Sequence, residues 1–125
     1  MMPRSPAILT PLDIGEIDDI PFDFGAHMDD SETILSVVIT AEADPLAVDA
    51  VPVDPAAQDM VSGPAAIGVI DDAGDFVSDP NGKVVLQRFD ATQRIARTVY
   101  CLRCVASLSS GRRLTAAGHI AVKRL

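Results

Sequence analysis

"RTVYCLRCVASLSSGRRLTAAGHIAVKRL", residues 97 to 125, carries the periodicity that sets the fold class. "RTVYCLRCVASL" (97 to 108) reads as one long strand, "SSGRR" as a turn, and the remainder as a last strand. In the last strand Leu114, Ala116, Gly118, Ile120 and Val122 form one apolar row. Arg113, Thr115, Ala117, His119, Ala121 and Lys123 form a more polar one. Alternation with period two marks a strand buried on one face only.

The same stretch holds both cysteines, Cys101 and Cys104, at the spacing of redox and zinc motifs. A structural zinc site needs four ligands, and a thioredoxin-like motif follows a strand and opens a helix. Here a strand runs straight through. Residues three apart on a strand point to opposite faces. Cys104 therefore shares an inward row with Tyr100, Leu102 and Ala106, while Cys101 lies on the other face. The reading is two buried or half-buried reduced thiols, bonded neither to each other nor to a metal.

Upstream, the same signals repeat. "LDIGEIDDIPFDF" (12 to 24) alternates in part, with Ile14, Ile20, Phe22 and Phe24 as core candidates and Pro21 arguing for an edge. "TILSVVITAEA" (33 to 43) is rich in β-branched residues. "LAVDAVPVD" (46 to 54) alternates, with Pro52 again pointing to an edge. "PAAQDMVSGPAA" (55 to 66) reads as a short helical turn or a loop. "AIGVIDDAGDFV" (66 to 77) reads as a strand, a turn and an apolar pair. In "DPNGK" (79 to 83) Asn81-Gly82 suits a two-residue type I′ turn, which would make a hairpin of "DFVS" and "KVVLQRF". "DATQRIA" bridges to the long strand. Residues 1 to 9, interrupted by Pro3 and Pro6, read as a flexible N-terminal arm, and residues 10 to 125 as a single domain. No long amphipathic helix appears. The expected fold class is all-β, an immunoglobulin-like antiparallel β-sandwich of about seven to eight strands.

A chain of 125 residues with 48% hydrophobic residues can build one core, mostly from Val, Ile, Leu and Ala, since only 4% are aromatic. Its net charge of −8 gives no general attraction to nucleic acid or anionic membranes. No stretch has the length of a spanning helix or a signal-peptide core, so a cytoplasm, or a particle assembled there, is the expected location. The charge is segregated. Between Ser5 and Gly82 lie 17 acidic residues and no Lys or Arg; from Lys83 onward there are nine basic residues and one acid, Asp90. Either the two parts neutralise each other within one fold, or acidic and basic faces of neighbouring copies meet. Opposite potentials steer association more than they strengthen it.

The chemical motifs are few. "DDAGD" (71 to 75) departs from a calcium loop at position three, Ala73, and at position twelve, Gly82. There is no GxSxG, HExxH, Walker A or GxGxxG pattern. His27 and His119 read as surface or packing residues. No catalytic, cofactor-binding or metal-binding residue is assigned, and no cofactor is expected. Asp18, Asp19, Asp29, Asp30, Arg94, Arg97, Arg112 and Arg113 remain as candidate interface residues, with Arg112-Arg113 beside "SSG" suited to gripping a partner's carboxylates.

Two stretches carry a resemblance. "LTPLDIGEIDDIPFDFGAHMDDSETILSVVITAE" places Phe22-Asp23-Phe24 as an aromatic-Asp-aromatic unit and Ser31-Glu32-Thr33-Ile34 before a β-rich strand. Tyr100, Leu102, Cys104 and Ala106, then "SLSSGRRL" and "HIAVKRL", give a Tyr-bearing strand, a Gly-Arg turn and a closing strand. Over residues 9 to 124 the chain resembles the fibre–tail adaptor proteins of short-tailed and related phages, least well across 44 to 82. The resemblance implies a non-catalytic virion protein in the tail or neck region. Its partners would be the tail or neck ring, the N-terminal regions of tail fibres and further copies of itself in cyclic symmetry, with no nucleic acid and no membrane. A strand edge would also be available to a partner strand. A head–tail connector or head-decoration protein is the alternative within the same class. A small carbohydrate- or ligand-binding sandwich is the alternative from another class.

Overall fold

The computed structural model describes residues 4–8, 12–13, 17–43, 54, 56–94 and 99–123. Among the described residues there are nine strands: β1 (Arg4–Ile8), β2 (Leu12–Asp13), β3 (Ile17–Asp23), β4 (Ile34–Ala43), β5 (Val61–Ile70), β6 (Phe76–Ser78), β7 (Val84–Asp90), β8 (Val99–Leu108) and β9 (Arg113–Lys123). Single-turn 3-10 helices occupy Gly25–His27 and Ala57–Met60. One sheet has the order β1-β9-β8-β4, with β2 also on β9; the other has the order β3-β7-β5-β6. β3 to β9 form the seven-stranded antiparallel sandwich, four strands packed on three.

The architecture is the immunoglobulin-like one expected, but two strands exchange sheets. In the immunoglobulin order the second strand of the seven belongs to the four-stranded sheet and the third to the three-stranded one. Here the second, β4, pairs with β8, and the third, β5, lies between β7 and β6.

The period-two rows hold where they were read. Tyr100, Leu102, Cys104 and Ala106 are fully buried, and Leu114, Ala116 and Ile120 oppose the other sheet. Phe22 and Phe24 enter the same core, with Phe22 edge-on to Phe89 at 6.4 Å between ring centroids. Pro21 lies on β3, which is an edge strand as its missing N–H requires.

Three expectations change. Residues 4–8, assigned to the arm, form β1, which runs parallel to β9 with Pro6 opposite Ala117. β1 is an edge strand, so Pro6 costs no ladder bond on its outer side. The Asn81-Gly82 hairpin does not form: β6 and β7 are separated by β5. Asp79-Pro80-Asn81-Gly82 instead closes with the Gly82 N–H donating to the Asp79 carbonyl at 2.9 Å, and the Asp79 carboxylate accepts from the Asn81 N–H. Asp first, Pro second and Gly fourth is the preference of a type I turn, so the turn begins one residue earlier than read. Gly82 is needed for close approach, because a methyl group there would meet the Gly68 carbonyl oxygen at 1.9 Å. Third, β5 starts at Val61, through a bulge between Ser62 and Ala66 that holds Gly63 at φ 74°. Gln87, buried at 1%, donates its amide to the carbonyls of Ser62, Gly63 and Arg88, supplying bonds where the ladder is interrupted. The strand expected over 46 to 54 lies outside the described residues except for Asp54, and Ile14 lies outside them too.

Candidate functional site

The β8–β9 turn and the β3–β4 connection meet at one end of the sandwich. Glu32 is 3% exposed there. Arg112 donates to both of its carboxylate oxygens, at 2.9 Å and 2.5 Å, and also to the His27 carbonyl at 2.9 Å. The Ser110 hydroxyl donates to the same carboxylate, as does the Asp29 N–H. These donors hold the Glu32 carboxyl at about 2 instead of 4.5, with the Arg112 hydrogen bond the largest cause, then Ser110, then the Asp29 N–H. Ser109 closes the same end, donating its N–H to the Thr33 carbonyl and accepting from the Thr33 N–H. The Lys83–Asp30 pair lies close by at 3.7 Å. This end gathers Asp29, Asp30, Arg112 and Arg113 from the sequence-based set.

The opposite end of β8 is built around a buried acid. Asp54 accepts from the Tyr100 hydroxyl at 2.7 Å, from Arg94 at 3.0 Å and from the Ala56 N–H at 3.0 Å. Arg94 also donates to the Ala56 carbonyl. Both charged side chains are under a tenth exposed, so Arg94 is committed within the fold. An opening of about 300 Å³ beside it is lined by Asp59, Asp90, Gln93 and Arg94. The Asp90 carboxyl is held below its usual range, mainly by the Thr92 hydroxyl and then the Thr92 N–H.

Asp18 and Asp19 are on β3. Asp19 pairs with Arg88 at 3.0 Å on the outer face of the sheet, and Asp18 bonds the Asp19 N–H. The pair borders an opening of about 290 Å³ over the β5 bulge. Arg97 lies outside the described residues. Neither opening is lined by a histidine or cysteine, and among the described residues no three His, Cys, Asp or Glu side chains gather as a metal site. Neither cysteine is in a disulfide, and burial pushes the Cys104 thiol up to about 12, out of the range of a reactive thiolate. In "DDAGD" the Asp71 carboxylate accepts from the Ala73 and Asp75 N–H groups, a turn stabilised from within.

Five ion pairs occur among the described residues: Asp19–Arg88, Asp30–Lys83, Glu32–Arg112, Glu42–Arg103 and Asp54–Arg94. Each joins an acid from the acidic stretch to a base from the basic one. For these residues the segregated charges meet inside one fold. Asp71, Asp72 and Asp75 have no cation among the described residues.

Sequence reading missed Glu32 and Asp54. Glu32 had a signal: Asp29-x-x-Glu32 has the spacing of a capping box, and half of that pattern forms, with the Asp29 N–H donating to the Glu32 carboxylate, while the Glu32 N–H donates to the Asp29 backbone carbonyl, as in a turn. Asp54 had none, because its partners lie 40 and 46 residues away. Of the five Phe and Tyr residues, Phe22, Phe24, Phe89 and Tyr100 are buried and Phe76 is half-buried. Comparison with models of protein families, with curated proteins and with solved structures finds no match.

Proposed function

We propose that this chain is a non-catalytic structural adaptor of a phage particle, joining the tail or neck to the tail fibres. The observation that carries the reading is the Glu32–Arg112 clamp. Its acid comes from one of the two stretches that resemble the fibre–tail adaptors, and its base comes from the other. Two segments 80 residues apart thus make one rigid end, with Asp29, Asp30 and Arg113 exposed around it. Such an end suits recognition by shape and charge. The partners are then the neighbouring ring and fibre proteins, together with further copies in cyclic symmetry.

Purified virions digested and analysed by mass spectrometry test this directly, and a particle reconstruction tests the position. Presence at the tail–fibre junction is the expected result. Absence from the virion defeats the proposal. Density at the head–tail junction or on the capsid replaces the adaptor with a connector or decoration protein.

A further inference from the structure

The chain has one asparagine, Asn81, and it precedes a glycine. Asparagine is thermolabile. The backbone nitrogen that follows it attacks the side-chain carbonyl carbon, and a glycine there, with no Cβ, shields that nitrogen least. In an open chain Asn-Gly is therefore the pair at which this reaction runs fastest.

The fold puts the two residues in different surroundings. Asn81 is exposed and Gly82 is buried. The Gly82 N–H donates to the Asp79 carbonyl at 2.9 Å, and the Asn81 N–H to the Asp79 carboxylate at 2.9 Å. The turn is tied at both ends. The Asp79 N–H donates to the Ile67 carbonyl of β5 at 3.0 Å, and the Lys83 carbonyl accepts from the Phe24 N–H at 2.9 Å. Between these ties Gly82 lies against the Gly68 backbone, which leaves no room for even a Cβ. Attack needs the Gly82 nitrogen to turn toward the Asn81 side chain. That rotation of the Asn81–Gly82 peptide breaks the bond to Asp79 and drives Gly82 from its seat on Gly68. An N–H engaged with Asp79 also keeps the proton that the nitrogen must lose.

We propose that Asn81 is a deamidation site gated by the fold, closed while the 79–82 turn is seated on β5 and open when it lifts away. In the open turn the Gly82 nitrogen bonds to the Asn81 Cγ, the Cγ–Nδ2 bond breaks, and the proton of the attacking nitrogen leaves with the amide as ammonia. Water then adds to one of the two carbonyls of the cyclic imide and opens it to aspartate or isoaspartate. Either product adds a negative charge. Isoaspartate also lengthens the main chain by a carbon between residues 81 and 82, so the Asp79–Gly82 bond and the Gly68 contact no longer form together. The chemistry is slow compared with opening and closing of a turn, so its rate follows the open fraction. The proposal rests on the turn alone and does not need the virion assignment.

The test ages the full chain near neutral pH and follows residue 81 by peptide mapping and mass spectrometry, beside the synthetic peptide acetyl-Ser-Asp-Pro-Asn-Gly-Lys-Val-amide. The folded chain should deamidate at least about tenfold more slowly than the peptide, and in urea it should match the peptide under the same conditions. The slowing should equal the hydrogen-exchange protection of the Gly82 N–H. Asp79→Ala, which frees the Asn81 N–H, should lower that protection and raise the folded rate together. The isolated isoaspartate product should have lost protection at Gly82. A folded chain that reacts as fast as the peptide overturns the gate. So does a chain equally slow in urea, which would place the protection in the local sequence. Lowered Gly82 protection in Asp79→Ala with an unchanged rate overturns the link between opening and chemistry. Native protection at Gly82 in the isoaspartate product overturns the misfit assigned to it.

Discussion

The two ends of β8 each hold a carboxylate against an arginine, but they solve different problems. At the Tyr100 end, acid and base are both buried: Asp54 and Arg94 are 6% and 7% exposed at the side chain. At the Leu108 end only the acid is buried; Arg112 is 42% exposed. A buried pair has lost the hydration of both charges, so each partner depends on the other. A half-buried pair leaves its arginine access to water, and what is stabilised is the geometry around the acid. Asp54 therefore acts as an internal tie between the Ala56 backbone, Arg94 and β8. Glu32 orders a loop end whose outer surface stays available.

Substitutions should separate the two ends in order of effect. Asp54→Asn leaves Arg94 buried without its counter-charge, and should destabilise the fold by about 3–5 kcal/mol in urea unfolding. A loss no larger than that of a surface substitution would show that the Asp54 end is as open to water as the other. Tyr100→Phe removes the hydroxyl that donates to Asp54, with an expected cost of about 1–3 kcal/mol; a larger cost would mean that the hydroxyl, rather than Arg94, is the main partner of the acid.

The Glu32 end is distinguished by pH. Its carboxyl is lowered from 4.5 to about 2 in the folded chain. A group with a depressed folded value contributes its full stability above the unfolded value and loses it as pH falls through the folded one. The Tm gap between the wild type and Glu32→Gln should therefore be constant from neutral pH to about 5 and shrink between about 4.5 and 2. A gap independent of pH over that window would remove Glu32 as the ionised centre of the clamp. The smallest effect is expected on the outer face. Asp19 and Arg88 are 40% and 59% exposed, and Asp19→Asn should change stability by no more than about 1 kcal/mol. A larger change would mean that the pair supports the β5 bulge beside it.

Much of the fold was legible because it rests on period two. The inward rows of β8 and β9, the core phenylalanines of β3 and the edge position of Pro21 follow from side-chain alternation and from the missing proline N–H, both local properties. Turn chemistry was only partly legible. "DPNG" satisfies two turn types offset by one residue, and the choice was made by β5 lying between β6 and β7 and by the contact of Gly82 with Gly68. The candidate site was least legible. Asp29, Asp30, Arg112 and Arg113 could be named as charged loop residues, but Glu32 was marked off from its acidic neighbours only by its spacing from Asp29, which says nothing of Arg112.

By itself, the sequence determined the class of the fold, the burial of Tyr100, Leu102 and Cys104 on one face, and the placement of the two thiols on opposite faces of one strand. These follow from residue type and spacing over a few positions. Tertiary structure alone decided which acids find which bases, and that β4 and β5 exchange sheets relative to the immunoglobulin order. Those outcomes depend on contacts between residues tens of positions apart, where strand spacing and sheet width set the partners and local pattern carries no information.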